Sequence, residues 1–130
     1  MLFRSERWQA KHWQAIVSAY RTSPYFIYFE NELKQFYSNR FDLLLEFNTA
    51  LLKILFEILK IKKEINYTQS YYESSEGFLD LRNSIHPKIN SDFRMKQYPQ
   101  VFDLKFGFTP NLSILDLIFN VGLNSMEHLK

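Results

Sequence analysis

Apolar positions recur at helical spacing through the first half of the chain, then give way to alternation, then return to helical spacing near the end. From about Glu6 to Tyr20, Trp8, His12, Ala15, Ile16 and Ala19 share one broad face, while Arg7, Lys11, Gln14 and Ser18 can face water. Thr22-Ser23-Pro24 breaks that run, and Ser before Pro predicts the start of a second helix. This helix reaches about Tyr37, with Phe26, Phe29, Leu33 and Phe36 inward and Glu30 one turn from Lys34. After Ser38-Asn39-Arg40 the spacing predicts a third and longest helix. Asn39 is its expected N-cap, and Asp42 complements the positive end of the dipole. Leu44, Leu51, Leu52, Leu55, Ile58 and Leu59 form its apolar stripe, with Asn48 on or beside it.

The middle follows another period. Glu64 to Tyr72 alternates and is rich in Thr, Tyr and Ile, as strands are. Phe78 to His86 sets Leu81, Asn83 and Ile85 against Asp80, Arg82, Ser84 and His86, and the bond to Pro87 keeps its end extended. Ile89 to Gln100 reads as a polar loop, and Val101 to Phe106 as a short strand closed by Gly107. Thr109-Pro110 opens a final helix, with Thr109 or Asn111 as cap and Gly122 in the left-handed position that ends it. The expectation is a single region over residues 1–130. Its class is α+β, predominantly helical, with a few short strands.

Composition narrows the classes. The 130 residues are 46% hydrophobic and 23% charged, which suits a globular domain and argues against disorder. The aromatic fraction of 18%, with 13 Phe and 8 Tyr, points to a stiff core or an extensive contact surface. A net charge of +2 gives little electrostatic pull towards nucleic acid, so none is expected as a partner. Cysteine is lacking, which removes disulfide and thiolate chemistry and is compatible with a cytoplasmic location, the one expected here. The most apolar run, Leu43 to Ile61, carries Glu46, Asn48, Lys53, Glu57 and Lys60, too many polar groups for a membrane span.

Two polar patterns are candidate chemistry. In an extended segment Asp80, Arg82, Ser84 and His86 point to one side at intervals of about 6–7 Å. Arginine can clamp a phosphate or carboxylate, and histidine can exchange a proton near neutral pH. The competing reading is a solvated strand face above a buried Leu81-Ile85 side. On the last helix, Ser113, Asp116 and Asn120 form a narrow polar stripe, and no Lys or Glu stands between Asn111 and Gly122. Asp and Asn suit sugar hydroxyls, but such a stripe is also the ordinary wet side of an amphipathic helix. His12 reads as a packed, hydrogen-bonded residue, and Tyr25-Phe26-Tyr28-Phe29 as core or interface. No metal-ligand spacing connects the 3 histidines, and the 3 glycines form no phosphate loop, so no metal and no cofactor is expected.

Three stretches, KHWQAIVSAYRTSPYF (Lys11–Phe26), DLRNSIHPK (Asp80–Lys88) and YPQVFDLKFGFTPNLSILDLIFNVG (Tyr98–Gly122), together resemble the bacterial WbqC-like family. The resemblance implies the C-terminal portion of a larger α/β domain, because family members open with strands that precede the first helix. It also implies a role in O-antigen or other surface-polysaccharide synthesis, by aminoacyl or acyl transfer onto an amino sugar. The partner implied is a nucleotide-linked amino sugar. Arg82 and Lys88 would hold its anionic part and His86 would act as base. Ser84, Ser113, Asp116 and Asn120 would complete the contacts. The alternative is a non-catalytic scaffold or interaction module, in which exposed aromatic surface favours self-association.

Overall fold

The computed structural model describes residues 8–73, 77–84, 86 and 93–129. Its elements are α1 (Trp8–Tyr20), α2 (Phe26–Ser38), α3 (Leu44–Ile58), the single turn α4 (Asp103–Phe106), α5 (Ile114–Val121) and a closing 3-10 helix, Gly122–His128. α2 buries the face its spacing predicts: Phe26, Phe29, Leu33 and Phe36, joined by Tyr37. α1 is rotated from expectation. Trp8, Trp13, Ile16, Val17 and Tyr20 meet the core while His12 and Ala15 are exposed. The larger rings remove more apolar area from water than two alanines, so they decide which face turns inward.

α3 starts at Leu44, not after an Asn39 cap. Asn39 is extended, its carbonyl accepting from the Gln9 amide at 2.8 Å. The intervening residues carry Phe41 into ring contact with Phe36 and Phe47, at 5.2 and 5.4 Å between centroids. Glu46 closes the helix start by accepting from the Leu43 N–H at 3.2 Å. Phe47 is buried, Leu52 is 40% exposed and Asn48 lies in solvent. At the other end Ile61 N–H reaches the Phe56 carbonyl (2.8 Å) and Lys60 N–H the Glu57 carbonyl (3.1 Å). That is a Schellman closure, with Lys60 at φ +55 where glycine is usual.

α5 has eight residues, too few to be stable alone, since isolated helices need roughly 12–15. It persists because Leu117, Ile118 and Phe119 are almost wholly buried. Each contributes about 1.5–3 kcal/mol by leaving water. The Phe119 ring packs on Tyr20 and Phe26 at 5.1 and 5.2 Å, and its carbonyl accepts from the Tyr25 N–H at 2.9 Å. The helix begins later than expected, at a Ser113 cap whose Oγ accepts from the Leu115 N–H. Thr109 cannot serve as cap because the Gln100 side chain engages its backbone N–H and carbonyl, at 2.8 and 2.9 Å.

The expected strands do not form among the described residues. Residues 64–72 are irregular and tied to α3 by the Tyr67 hydroxyl on Thr49 Oγ1 at 2.8 Å. Residues 78–84 turn instead of extending: Asp80 Oδ1 accepts from the Arg82 N–H, and Ser84 donates twice to the Leu81 carbonyl. Side chains that bond their own backbone compete with a ladder. Residues 103–106 make the turn α4, ended at Gly107 with φ +71. The class is therefore predominantly helical, and among the described residues the strands expected of α+β are absent. Among the described residues no helix is long and apolar enough to cross a membrane.

Gly122 has φ +70, and a Cβ there would lie 2.5 Å from the Tyr25 ring. Gly122→Ala is expected to destabilise the fold by about 2–4 kcal/mol, from left-handed strain plus overpacking. Urea unfolding that leaves the midpoint unmoved would show that α5 does not seat on the α1–α2 corner as described.

Candidate functional site

The Asp80–Arg82 pair organises one candidate site. Arg82 Nε donates to both Asp80 oxygens, at 2.9 and 3.0 Å, and Nη2 donates to Oδ2. Nη1 donates to the Tyr72 carbonyl at 2.8 Å, and the guanidinium stands 5.2 Å from the Tyr71 ring centroid. Hydrogen bonds from Arg82 hold the Asp80 carboxyl down at about 2. The Tyr71 side chain also hydrogen-bonds the guanidinium, so its N–H groups are shared among Asp80, the Tyr72 carbonyl and Tyr71. An arriving anion would not meet the fork that Asp80 occupies.

Around this pair lies an open recess of about 700 Å³, walled by Tyr67, Tyr71, Tyr72 and Phe78 and edged by Asn66 and Gln69. Tyr71, Phe78 and Leu79 are 79%, 81% and 84% exposed, so the aromatic wall is open to solvent. The sequence pattern had suggested the Arg82 side chain but not Tyr71 or Tyr72. Both lie ten or more residues away in chain order, and a turn brings them back.

Asp116 and Asn120 occupy a different setting. Both are buried, Asp116 at 4% exposure. Asp116 Oδ2 accepts from the Tyr98 hydroxyl at 2.7 Å and the Gln100 amide at 3.1 Å, and Tyr20 also hydrogen-bonds the carboxylate. Burying a carboxylate costs several kcal/mol, and charge-assisted bonds of about 1.5–3 kcal/mol each offset it. Asn120 donates to the Asp116 carbonyl at 2.7 Å. The two tyrosines hold their protons tightly. Burial first and then the Asp116 charge push Tyr20 up to about 12, while burial and the Asp116 hydrogen bond raise Tyr98 further.

The predicted residues thus fall into separate places. Arg82 edges the open recess, and the Ser84 hydroxyl is turned to its own backbone. His86 is exposed four residues on, and Lys88 lies outside the described residues. Ser113 is an exposed helix cap; Asp116 is closed over by Tyr98 and Gln100, Asn120 is buried with its amide on the Asp116 carbonyl, and neither lines the recess. His12 accepts or donates at Nδ1 with the Tyr37 hydroxyl at 3.0 Å. Among the described residues no group of His, Cys, Asp and Glu is arranged to hold a metal ion.

Comparison with known proteins gives one match. The model of the WbqC-like protein family matches residues 1–91 and 82–128, nearly the whole chain. No curated protein matches, and no solved structure does.

Two pH effects follow. Asp80 contributes stability above its unfolded value of 3.8, and this is lost as pH falls through about 2. NMR titration should therefore find that carboxyl near 2 in the wild type and near the ordinary carboxylate value in Arg82→Ala. The raised tyrosines act in the opposite sense: their contribution is full below 10 and declines as pH rises through 12. Tyr98→Phe should cost about 1–3 kcal/mol at neutral pH and flatten the alkaline fall in the urea midpoint. A neutral-pH midpoint matching wild type would mean that Asp116 does not depend on that donor.

Proposed function

The chain belongs to the WbqC-like protein family, and we propose that it acts in surface-polysaccharide assembly as a transferase passing an aminoacyl or acyl group onto an amino sugar. The observation that carries this reading is the recess where exposed tyrosine rings stand beside a guanidinium fixed by Asp80 and the Tyr72 carbonyl. Flat aromatic walls suit the apolar face of a sugar ring, and few convergent polar groups suit its orientation. Arg82 takes the anionic part of a nucleotide-linked amino sugar. The amine nitrogen attacks the carbonyl of an activated ester or thioester donor, forming the amide bond and expelling the donor's alcohol or thiol. His86 takes the proton that the amine releases and hands it to the departing oxygen or sulfur, so the base is returned unchanged. Asp116 and Asn120 support this site only indirectly, by fixing the fold, because their polar groups are engaged inside it.

A second reading, a non-catalytic interaction module, draws on Tyr71, Phe78, Leu79 and Leu104, all strongly exposed. Light scattering distinguishes it, since a module built for contact forms complexes and a dilute monomer weighs against it.

Binding of UDP- or dTDP-linked amino sugars tests the transferase. Arg82→Ala is expected to weaken binding at least roughly tenfold, the scale of one charge-assisted contact. Arg82→Lys should recover little of it, because the ammonium lacks the planar fork that Asp80 and Tyr72 hold. His86→Ala should leave binding near wild type and abolish transfer. Wild type and the Arg82→Ala/His86→Ala double variant behaving alike would dispose of the assignment.

A further inference from the structure

Where the chain leaves α3, four lysines gather around a second recess. Lys53, Lys60, Lys62 and Lys63 line an open space of about 720 Å³, together with Phe56, Ile61 and Ile65. The lysines are exposed and the three apolar residues half-buried, which makes a cationic rim over an apolar floor. Glu57 and Glu64 also line it, so the excess is two positive charges, as large as the net charge of the whole chain. None of the four lysines forms an ion pair among the described residues.

Lys60 carries a second observation. It stands at φ +55 in the position that closes the Schellman turn, where glycine fits without cost. A lysine there brings backbone strain on the order of 1 kcal/mol, and strain of this kind concentrates where a side chain is needed. Ile61 and Phe56, the two ends of the same closure, form the apolar floor.

We propose that this recess binds a phosphate-bearing ligand, its oxygens on the lysine ammonium groups and its apolar portion on Phe56, Ile61 and Ile65. Lysine serves as a mobile point charge for phosphate, and several can share its oxygens. The site is separate from the Arg82 recess, whose lining overlaps it only at Asn66. It does not depend on the transferase reading. The phosphate can come from a soluble molecule or from a lipid headgroup.

The test uses the whole chain and three probes: pyrophosphate, dodecyl phosphate below its micelle point, and phosphatidylcholine vesicles with and without phosphatidic acid. Binding to the soluble probes identifies a free ligand, and binding only to the acidic vesicles identifies a headgroup; either supports the site. Lys62→Gln/Lys63→Gln is expected to weaken binding on the order of tenfold to thirtyfold. Lys11→Gln/Lys34→Gln, on α1 and α2, makes the same change in net charge and should leave binding intact. Lys60→Gly removes an ammonium and the strain together, so binding should weaken while the urea midpoint holds or rises. No binding to any probe, equal loss in the Lys11/Lys34 variant, or a Lys60→Gly loss that merely follows lost stability overturns the proposal.

Discussion

The seat of α5 on the corner between α1 and α2 is the constraint on which the rest depends. One backbone bond, Tyr25 N–H to the Phe119 carbonyl, sets the depth of that seat, and the glycine at 122 lets the Tyr25 ring lie against the backbone. Phe119 then fills the space between Tyr20 and Phe26. An eight-residue helix has little stability of its own, so its geometry is imposed by this packing and not by propensity. Fixing α5 also fixes Asp116, which stands one turn before Asn120 and faces Tyr98 and Gln100.

That buried carboxylate extends order into residues that otherwise have little to hold them. Gln100 donates to Asp116 and to the Thr109 carbonyl, and accepts from the Thr109 N–H. Through this one side chain, the loop on either side of α4 is tied to α5, although Leu104 and Phe106 on α4 itself lie in solvent. A polar network of this kind is worth more intact than in part, because each lost donor leaves a desolvated acceptor.

The helical half was legible because its signals are local. Phe26, Phe29, Leu33 and Phe36 repeat at three and four residues, and Gly122 marks the end of α5 as its conformation requires. Helix starts were misplaced where a distant partner decides: Gln100 engages the backbone at Thr109, and the pull of Phe41 into the core keeps the chain extended past Asn39. The alternation from 78 to 86 suggested a strand, yet Asp80 and Ser84 bond neighbouring backbone and produce turns with the same residue pattern. The polar stripe of Ser113, Asp116 and Asn120 was visible, but the burial of Asp116 was not, because its lid is Tyr98 and Gln100, whose pairing with it spans 16 to 18 residues.

The two recesses differ in how their cations are held, and this assigns them different tasks. Arg82 is fixed by Asp80 and the Tyr72 carbonyl, so its charge is largely balanced and its plane is set. The lysines around the second recess form no ion pair among the described residues and sit on long stems, so an anion bound there, as proposed, would be attracted without its orientation being prescribed. A fixed, half-neutralised guanidinium beside aromatic rings discriminates shape, and a loose cationic rim over apolar side chains supplies attraction. Asn66 is the one residue that lines both spaces.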